Sequence, residues 1–140
     1  MENHNIYIII DDQEVNLFLL NRMIMIEDDN AIVFSCSSGA EGLEKFQDCI
    51  DNGYDIKAVI SDLQMPNMDG EETIRLMCEY YKRIKDKFSN EISCKFSIFT
   101  ANDQYVKPSG CKGCRCEKEC AVNIEYKPVT KEKTRRMLNL

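Results

Sequence analysis

The chain lacks an excess of positive charge. It holds 18 lysines and arginines against 24 aspartates and glutamates, a net charge of −6. General binding to nucleic acid or to anionic membranes needs a basic patch, so neither is expected. Long apolar runs are also missing. The longest are about strand length, far short of the roughly 20 residues of a membrane span. The start, Met1-Glu2-Asn3-His4-Asn5, has neither the basic opening nor the apolar core of a secretory signal. These absences imply an intracellular, cytoplasmic protein. Histidine occurs once, as His4 in the N-terminal tail, which argues against a zinc hydrolase centre built on imidazoles. No internal repeat is visible.

What is present fits one domain. The 140 residues, 44% hydrophobic and 30% charged, suffice for a sizeable single core over 1–140. Eight cysteines are many for such a chain. Cys36, Cys49, Cys78 and Cys94 sit in apolar or helical contexts and read as small buried thiols. Without a secretory signal no disulfide framework is expected. Cys111, Cys114, Cys116 and Cys120 form a separate cluster.

Periodicity predicts alternating strands and helices. Residues 6–10 are apolar and β-branched throughout, the pattern of a strand buried on both faces. A helix over 14–26 follows, with Val15, Leu19, Met23 and Ile26 expected on one inward face. Ala31 to Cys36 is a second strand. Ser38 stands three residues before Glu41, a capping-box spacing, and opens a helix carrying Leu43, Phe46 and Ile50. Lys57 to Ser61 is a third strand, and the loop after it is punctuated by Pro66 and Gly70. Ile74, Met77, Tyr81, Ile84 and Phe88 mark a long helix over 71–88. Phe96 to Ala101 and Asn123 to Tyr126 are the last strands, separated by an irregular stretch. Thr130 caps a final helix over 131–139. This alternation implies an α/β fold: a doubly wound parallel sheet of five strands with helices on both faces.

In such a sheet the ligand crevice lies outside the carboxyl ends of the strands. Asp11, Asp12, Asp62, Thr100 and Lys127 all fall there. Three carboxylates gathered in one crevice repel unless a cation joins them. Oxygen ligands of this kind suit a hard ion, and clustered acids with few other ligands suit Mg²⁺. A carboxylate beside a metal is able to act as a nucleophile and form an acyl phosphate. Lys127 and Thr100 are placed to supply positive charge and a hydrogen bond to phosphoryl oxygens.

The arrangement closely resembles the receiver domain of two-component response regulators, of the kind found in hybrid histidine kinases and phosphorelays. The resemblance rests on Asp11-Asp12 after the first strand and Asp62 after the third. It continues with Thr100-Ala101 after the fourth and Lys127-Pro128 after the fifth. The loop Met65-Pro66-Asn67-Met68-Asp69-Gly70 is also similar. It covers residues 6–101 and 123–139. It implies a flavodoxin-like strand order of 2-1-3-4-5 and a phosphoacceptor module rather than a turnover enzyme. Asp62 would take a phosphoryl group from a phosphohistidine and later release it by hydrolysis. Mg²⁺ would be held by Asp11 (largely through water), Asp12, Asp62 and the Gln64 backbone carbonyl. Thr100 would move toward the phosphate and Lys127 would contact it, with a cis bond to Pro128. Gln64 and Asn102 would tune dephosphorylation, at a slow to moderate rate because neither is an acid or a base. The partner would be a histidine kinase or a histidine phosphotransfer domain, and a phosphorylation-dependent dimer stays open.

Two departures stand out. The position three before the lysine, aromatic in the family, is Ile124, while Tyr126 lies two residues on along the same side of the strand. Between Thr100 and Lys127, where the family places a helix, there is a cysteine-rich insertion at about 107–121. Its four cysteines admit three readings: a loop of reduced thiols, a tetrahedral Zn²⁺ site with unusually tight spacing, or a redox pair activated by Lys112 and Arg115. Two alternatives to the phosphoacceptor function follow. One is a module that keeps the fold without phosphorylation, consistent with Ile124. The other is a phosphohydrolase of the haloacid dehalogenase type, which needs an Asp-x-Asp spacing that Asp11-Asp12-Gln13 lacks.

Overall fold

The structure is a computed structural model, and it describes residues 4–85, 94–105 and 122–140. The described residues form five strands and four helices, alternating except that the fifth strand is the next described element after the fourth. They are β1 (Asn5–Ile10), α1 (Glu14–Glu27), β2 (Ala31–Cys36), α2 (Gly39–Asp51), β3 (Ile56–Ser61), α3 (Gly70–Lys85), β4 (Lys95–Thr100), β5 (Val122–Tyr126) and α4 (Lys131–Met137). The strands form one parallel sheet in the order β2-β1-β3-β4-β5, as expected.

Strand β1 shows why the sheet must be covered on both faces. Its residues point alternately to opposite sides. Ile6, Ile8 and Ile10 pack with Phe46 and Ile50 of α2 and with Ile74, Met77 and Tyr81 of α3. Tyr7 and Ile9 pack with Leu20 and Ile24 of α1 and with Met137 and Leu138 at the end of α4. A strand apolar over 6–10 therefore feeds two cores, one on each face.

The expected caps form. Ser38 Oγ accepts the Glu41 N–H at 3.1 Å, and Thr130 Oγ1 accepts the Lys133 N–H at 3.2 Å. The return arm of the first cap differs: the Glu41 carboxylate takes the N–H and the hydroxyl of Ser37 rather than the Ser38 N–H.

Helix α1 forms where expected but turns a different face inward. Val15, Leu19 and Ile26 are exposed, together with Phe18 and Met25. Leu20 and Ile24 are buried, and Leu17 packs beside them. Apolar residues run nearly all the way round this helix, so spacing alone could not choose between two apolar stripes. The sheet chose the one that fits against Tyr7 and Ile9.

Smaller differences concern lengths. The final helix ends at Met137 rather than 139. Helix α3 is described to Lys85, so Phe88 lies outside the described residues, as does the insertion with Cys111, Cys114, Cys116 and Cys120. Cys36, Cys49 and Cys94 are buried free thiols as expected. Cys78 corrects the expectation, because it is disulfide-bonded.

Candidate functional site

The register of the sheet brings the strand ends to one edge, β4 reaching two residues past its pairing with the end of β3. Ile10 lies opposite both Cys36 and Ser61, Ser61 opposite Ile98, and Thr100 opposite Tyr126. One step beyond these ends stand Asp11, Asp62 and Lys127. Backbone bonds carry the pairing past the strands and fix these residues: Asp11 N–H to Cys36 O, Asp62 N–H to Ile10 O and Lys127 N–H to Thr100 O. Carboxylate oxygens of Asp11, Asp12 and Asp62 lie within 4.8 Å of one another. Lys127 Nζ reaches Asp11 Oδ2 at 3.0 Å and Asp62 Oδ1 at 3.6 Å.

Local turns orient the carboxylates of Asp11 and Asp62. Asp11 is buried, and its Oδ1 accepts the Gln13 N–H at 2.9 Å, at the start of α1. Asp62 Oδ1 accepts the N–H of Leu63 at 2.9 Å. Behind it, the Gly70 N–H returns to Leu63 O at 2.8 Å and closes the loop that starts at Asp62. A Cβ on Gly70 would stand 2.2 Å from the Asp62 carbonyl oxygen, so only glycine lets the chain come this close. Asp69 then starts α3 by accepting the Glu72 N–H at 2.9 Å, the turn and helix-start role its position suggests.

The electrostatics follow from this crowding. Burial is the largest influence on Asp62 and raises its carboxyl above the ordinary range; Asp11 and Asp12 push the same way, while Lys127 and the Leu63 N–H oppose them. One ammonium does not balance three anions. The donor set is all carboxylate oxygen, with Asp12 exposed to water. That is the chemistry of a hard divalent cation that keeps part of its hydration shell, so the residues fit Mg²⁺. Asp11, Asp12 and Asp62 are the residues that would hold it.

Thr100 is buried at the end of β4, with its Oγ1 accepting the Asn102 N–H at 3.0 Å. The peptide bond between Lys127 and Pro128 is cis. Gln64 lies in the adjacent loop and lines a separate depression with Leu63, Met65, Pro66, Asp69, Glu71 and Tyr105. Sequence reading missed two features of this edge. One is an apolar cleft of about 360 Å³ that joins Asp62 and Lys127 to Leu17, Leu19 and Leu20 of α1 and to Phe99, Pro128 and Val129. The other is Tyr105, in the irregular stretch where no period gives a signal. Its hydroxyl bonds Glu71, and its backbone carbonyl accepts the Tyr126 hydroxyl at 2.7 Å.

Comparison with known proteins agrees with this fold. Residues 7–105 match the response regulator receiver domain family. Among curated proteins, hybrid signal transduction histidine kinase L of Dictyostelium discoideum is 33% identical over 76 residues, which are 54% of this chain and 4% of that protein. The match thus covers a small part of that relative's length. Among solved structures, a two component response regulator from Cytophaga hutchinsonii superimposes with a TM-score of 0.70 at 18% identity, covering 97% of this chain and 95% of that one. The CheX–CheY–BeF3–Mg complex from Borrelia burgdorferi gives a TM-score of 0.66 at 22% identity, covering 96% and 86%. The receiver domain of the hybrid histidine kinase CckA gives 0.65 at 14% identity, covering 96% of each chain. These structural likenesses carry the fold, and the sequence match over residues 7–105 carries the membership: the chain belongs to the response regulator receiver domain family.

Proposed function

We propose that this chain is a phosphoacceptor in two-component or phosphorelay signalling and that Asp62 is the residue phosphorylated. The observation that carries the reading is the placement of Asp62 within 4.8 Å of Asp11 and Asp12 and 3.6 Å from Lys127, at the carboxyl edge of a parallel sheet. Mg²⁺, when bound, supplies charge neutralisation for the approaching phosphoryl oxygens. The protein's own groups do the rest. Asp62 Oδ attacks phosphorus in line, the P–N bond of the phosphohistidine breaks, and its electron pair returns to the imidazole of the donor. Lys127 faces the charge that develops on the phosphoryl oxygens, and its pairing with Asp11 keeps it at the crevice. The Thr100 hydroxyl, at the same edge, offers a hydrogen bond. Hydrolysis of the acyl phosphate resets the switch, at a slow to moderate rate given the neutral side chains of Gln64 and Asn102.

The donor in this reading is a histidine kinase or a histidine phosphotransfer domain. The support is the exposed stripe of Val15, Phe18 and Leu19 on α1. Leu19 also lines the cleft that opens onto Asp62, so an apolar helix seated there would bring its histidine to the carboxylate.

Treatment with acetyl phosphate or beryllofluoride, followed by mass spectrometry or fluorine NMR, tests the assignment. Modification is expected at Asp62, dependent on Mg²⁺ and absent from Asp62→Asn. Full labelling of that variant, or Mg²⁺-independent labelling elsewhere, contradicts the reading.

A further inference from the structure

The apolar cleft beside Asp62 carries polar groups whose hydrogen bonds do not balance. Its volume of about 360 Å³ lies in the range of small-ligand sites, about 300–1,000 Å³, which are apolar with a few placed polar groups. The polar groups here are Asp11, Asn16, Asp62 and Lys127. Lys127 is already engaged. Its Nζ lies 3.0 Å from Asp11 Oδ2, 3.6 Å from Asp62 Oδ1 and 5.9 Å from the centre of the Phe99 ring. Asp62 Oδ1 also accepts the Leu63 N–H. Among the described residues, Asp62 Oδ2 and the Asn16 carboxamide take no hydrogen-bond partner.

We infer that this cleft binds a small amphipathic primary amine, its alkyl chain against Leu17, Leu20, Phe99 and Val129 and its ammonium on Asp62 and Asn16. Charge selects the head group first. Two carboxylates against one ammonium leave the lining with a net negative charge, and exposed Asp12 adds a further carboxylate within 4.8 Å. Hydrogen bonding selects it again. The open positions on Asp62 Oδ2 and Asn16 Oδ1 are acceptors, and an ammonium brings donors and no acceptor. A carboxylate head brings acceptors only and meets Asp62 as a like charge. The walls hold the tail by removing its apolar surface from water. A bound amine places a cation on a carboxylate that the proposed Mg²⁺ site needs. Amine and Mg²⁺ therefore exclude each other, and phosphorylation stops while the amine is bound. Binding stands on the geometry of the cleft, and this inhibitory consequence rests on the function proposed above.

The test is a homologous series of ethylamine, butylamine and hexylamine, titrated into the whole chain without Mg²⁺ and followed by NMR chemical shifts. Hexanoate is the control of opposite charge. The concentration at half saturation is expected to fall about fourfold for each methylene added, the factor for burying one methylene. Hexanoate is expected not to bind. Added Mg²⁺ should raise the half saturation of hexylamine in proportion to its own concentration. Hexylamine should in turn slow labelling of Asp62 by acetyl phosphate at a fixed, subsaturating Mg²⁺ concentration. Val129→Ser, at a half-buried position of the wall, should flatten the dependence on chain length, and the wild-type series decides the matter if that variant does not fold. Half saturation that is the same for all three amines, or equal binding of hexanoate, overturns the cleft inference and leaves the phosphoacceptor reading standing. Chain-length dependence without competition from Mg²⁺ overturns the placement of the ammonium on Asp62. Failure of acetyl phosphate to label Asp62 in the absence of amine overturns the phosphoacceptor reading, while the amine series still decides the cleft.

Discussion

At the scale of single residues the same sheet carries carboxylates of opposite character. Asp62 lies above the ordinary range because burial and its acidic neighbours disfavour its charge. Its protonated form therefore favours folding, an advantage present below the ordinary carboxylate pKa and lost as pH rises through the raised value. At neutral pH, then, Asp62→Asn is expected to raise the melting temperature by about 2–4 °C, the equivalent of about 1 kcal/mol in a domain of this size. An unchanged or lower melting point at pH 7 would mean that Lys127 fully compensates the charge. Asp28, at the other end of the sheet, shows the reverse. Burial pushes its carboxyl up, but hydrogen bonds from Tyr7 at 2.6 Å, Asn5 at 2.9 Å and the Asn30 N–H outweigh it, and the net direction is down. Glu125 is held down first by its paired bonds from Arg136, both 2.9 Å. Depressed carboxyls contribute stability above the ordinary carboxylate pKa and lose it as pH falls through their lowered values. Tyr7→Phe removes a donor from buried Asp28 and is expected to cost about 1–3 kcal/mol at pH 7. The loss should shrink on acidification, and urea unfolding at pH 7 and pH 3 measures both. A cost that does not depend on pH would show that only the packing of the ring had mattered.

At the scale of elements, α1 separates what the sequence reveals from what only packing decides. Its existence and extent were legible, because apolar residues recur at helical spacing over 14–26. Its inward face was not, because Val15, Leu19 and Ile26 form as good a stripe as Leu17, Leu20 and Ile24. Strand β1 was legible but for Asn5, since an apolar run of five residues over 6–10 fits a strand covered on both faces. The acidic pair, Asp62, Thr100 and Lys127 were legible because each follows an apolar run, and strand ends of a parallel sheet meet at one edge. Tyr105 was not, because its two partners, Glu71 and Tyr126, are brought to it by tertiary structure alone. The outward stripe that remains on α1 leads to a prediction at this scale. Phe18→Asp is expected to slow phosphotransfer from a phosphohistidine donor by about tenfold or more, as loss of an aromatic anchor at an interface does. Labelling by acetyl phosphate, which needs no docking helix, should be unchanged. Stability should move by no more than about 0.5 kcal/mol, because the ring is exposed. An equal loss with both donors would mean that Phe18 shapes the crevice rather than a docking face.

At the scale of the whole molecule, the acidic edge is expected to make stability depend on a cation. Asp11 and Asp12 follow β1 and Asp62 follows β3, at neighbouring strands in the middle of the sheet. Folding brings their charges together, whereas in the unfolded chain Asp12 and Asp62 are separated by 50 positions of sequence. A divalent ion that binds the gathered carboxylates binds the folded chain alone, and such a ligand stabilises in proportion to the logarithm of its concentration. At a hundred times its dissociation constant, Mg²⁺ is expected to add about 2.7 kcal/mol, with chelator returning the melting point to its starting value. The gain should be largely lost in Asp12→Asn and in Asp62→Asn, each of which removes a ligand oxygen's charge. It should also weaken on acidification, as the raised Asp62 carboxyl takes up a proton and competes with the ion. Thermal melts over a Mg²⁺ series at pH 7.5 and pH 4.5, in wild type and both variants, check every part of this. A shift of equal size in all three proteins would place the ion elsewhere on a chain whose net charge of −6 attracts cations broadly. A shift confined to the intact carboxylate set would place it at the edge where Asp62 stands.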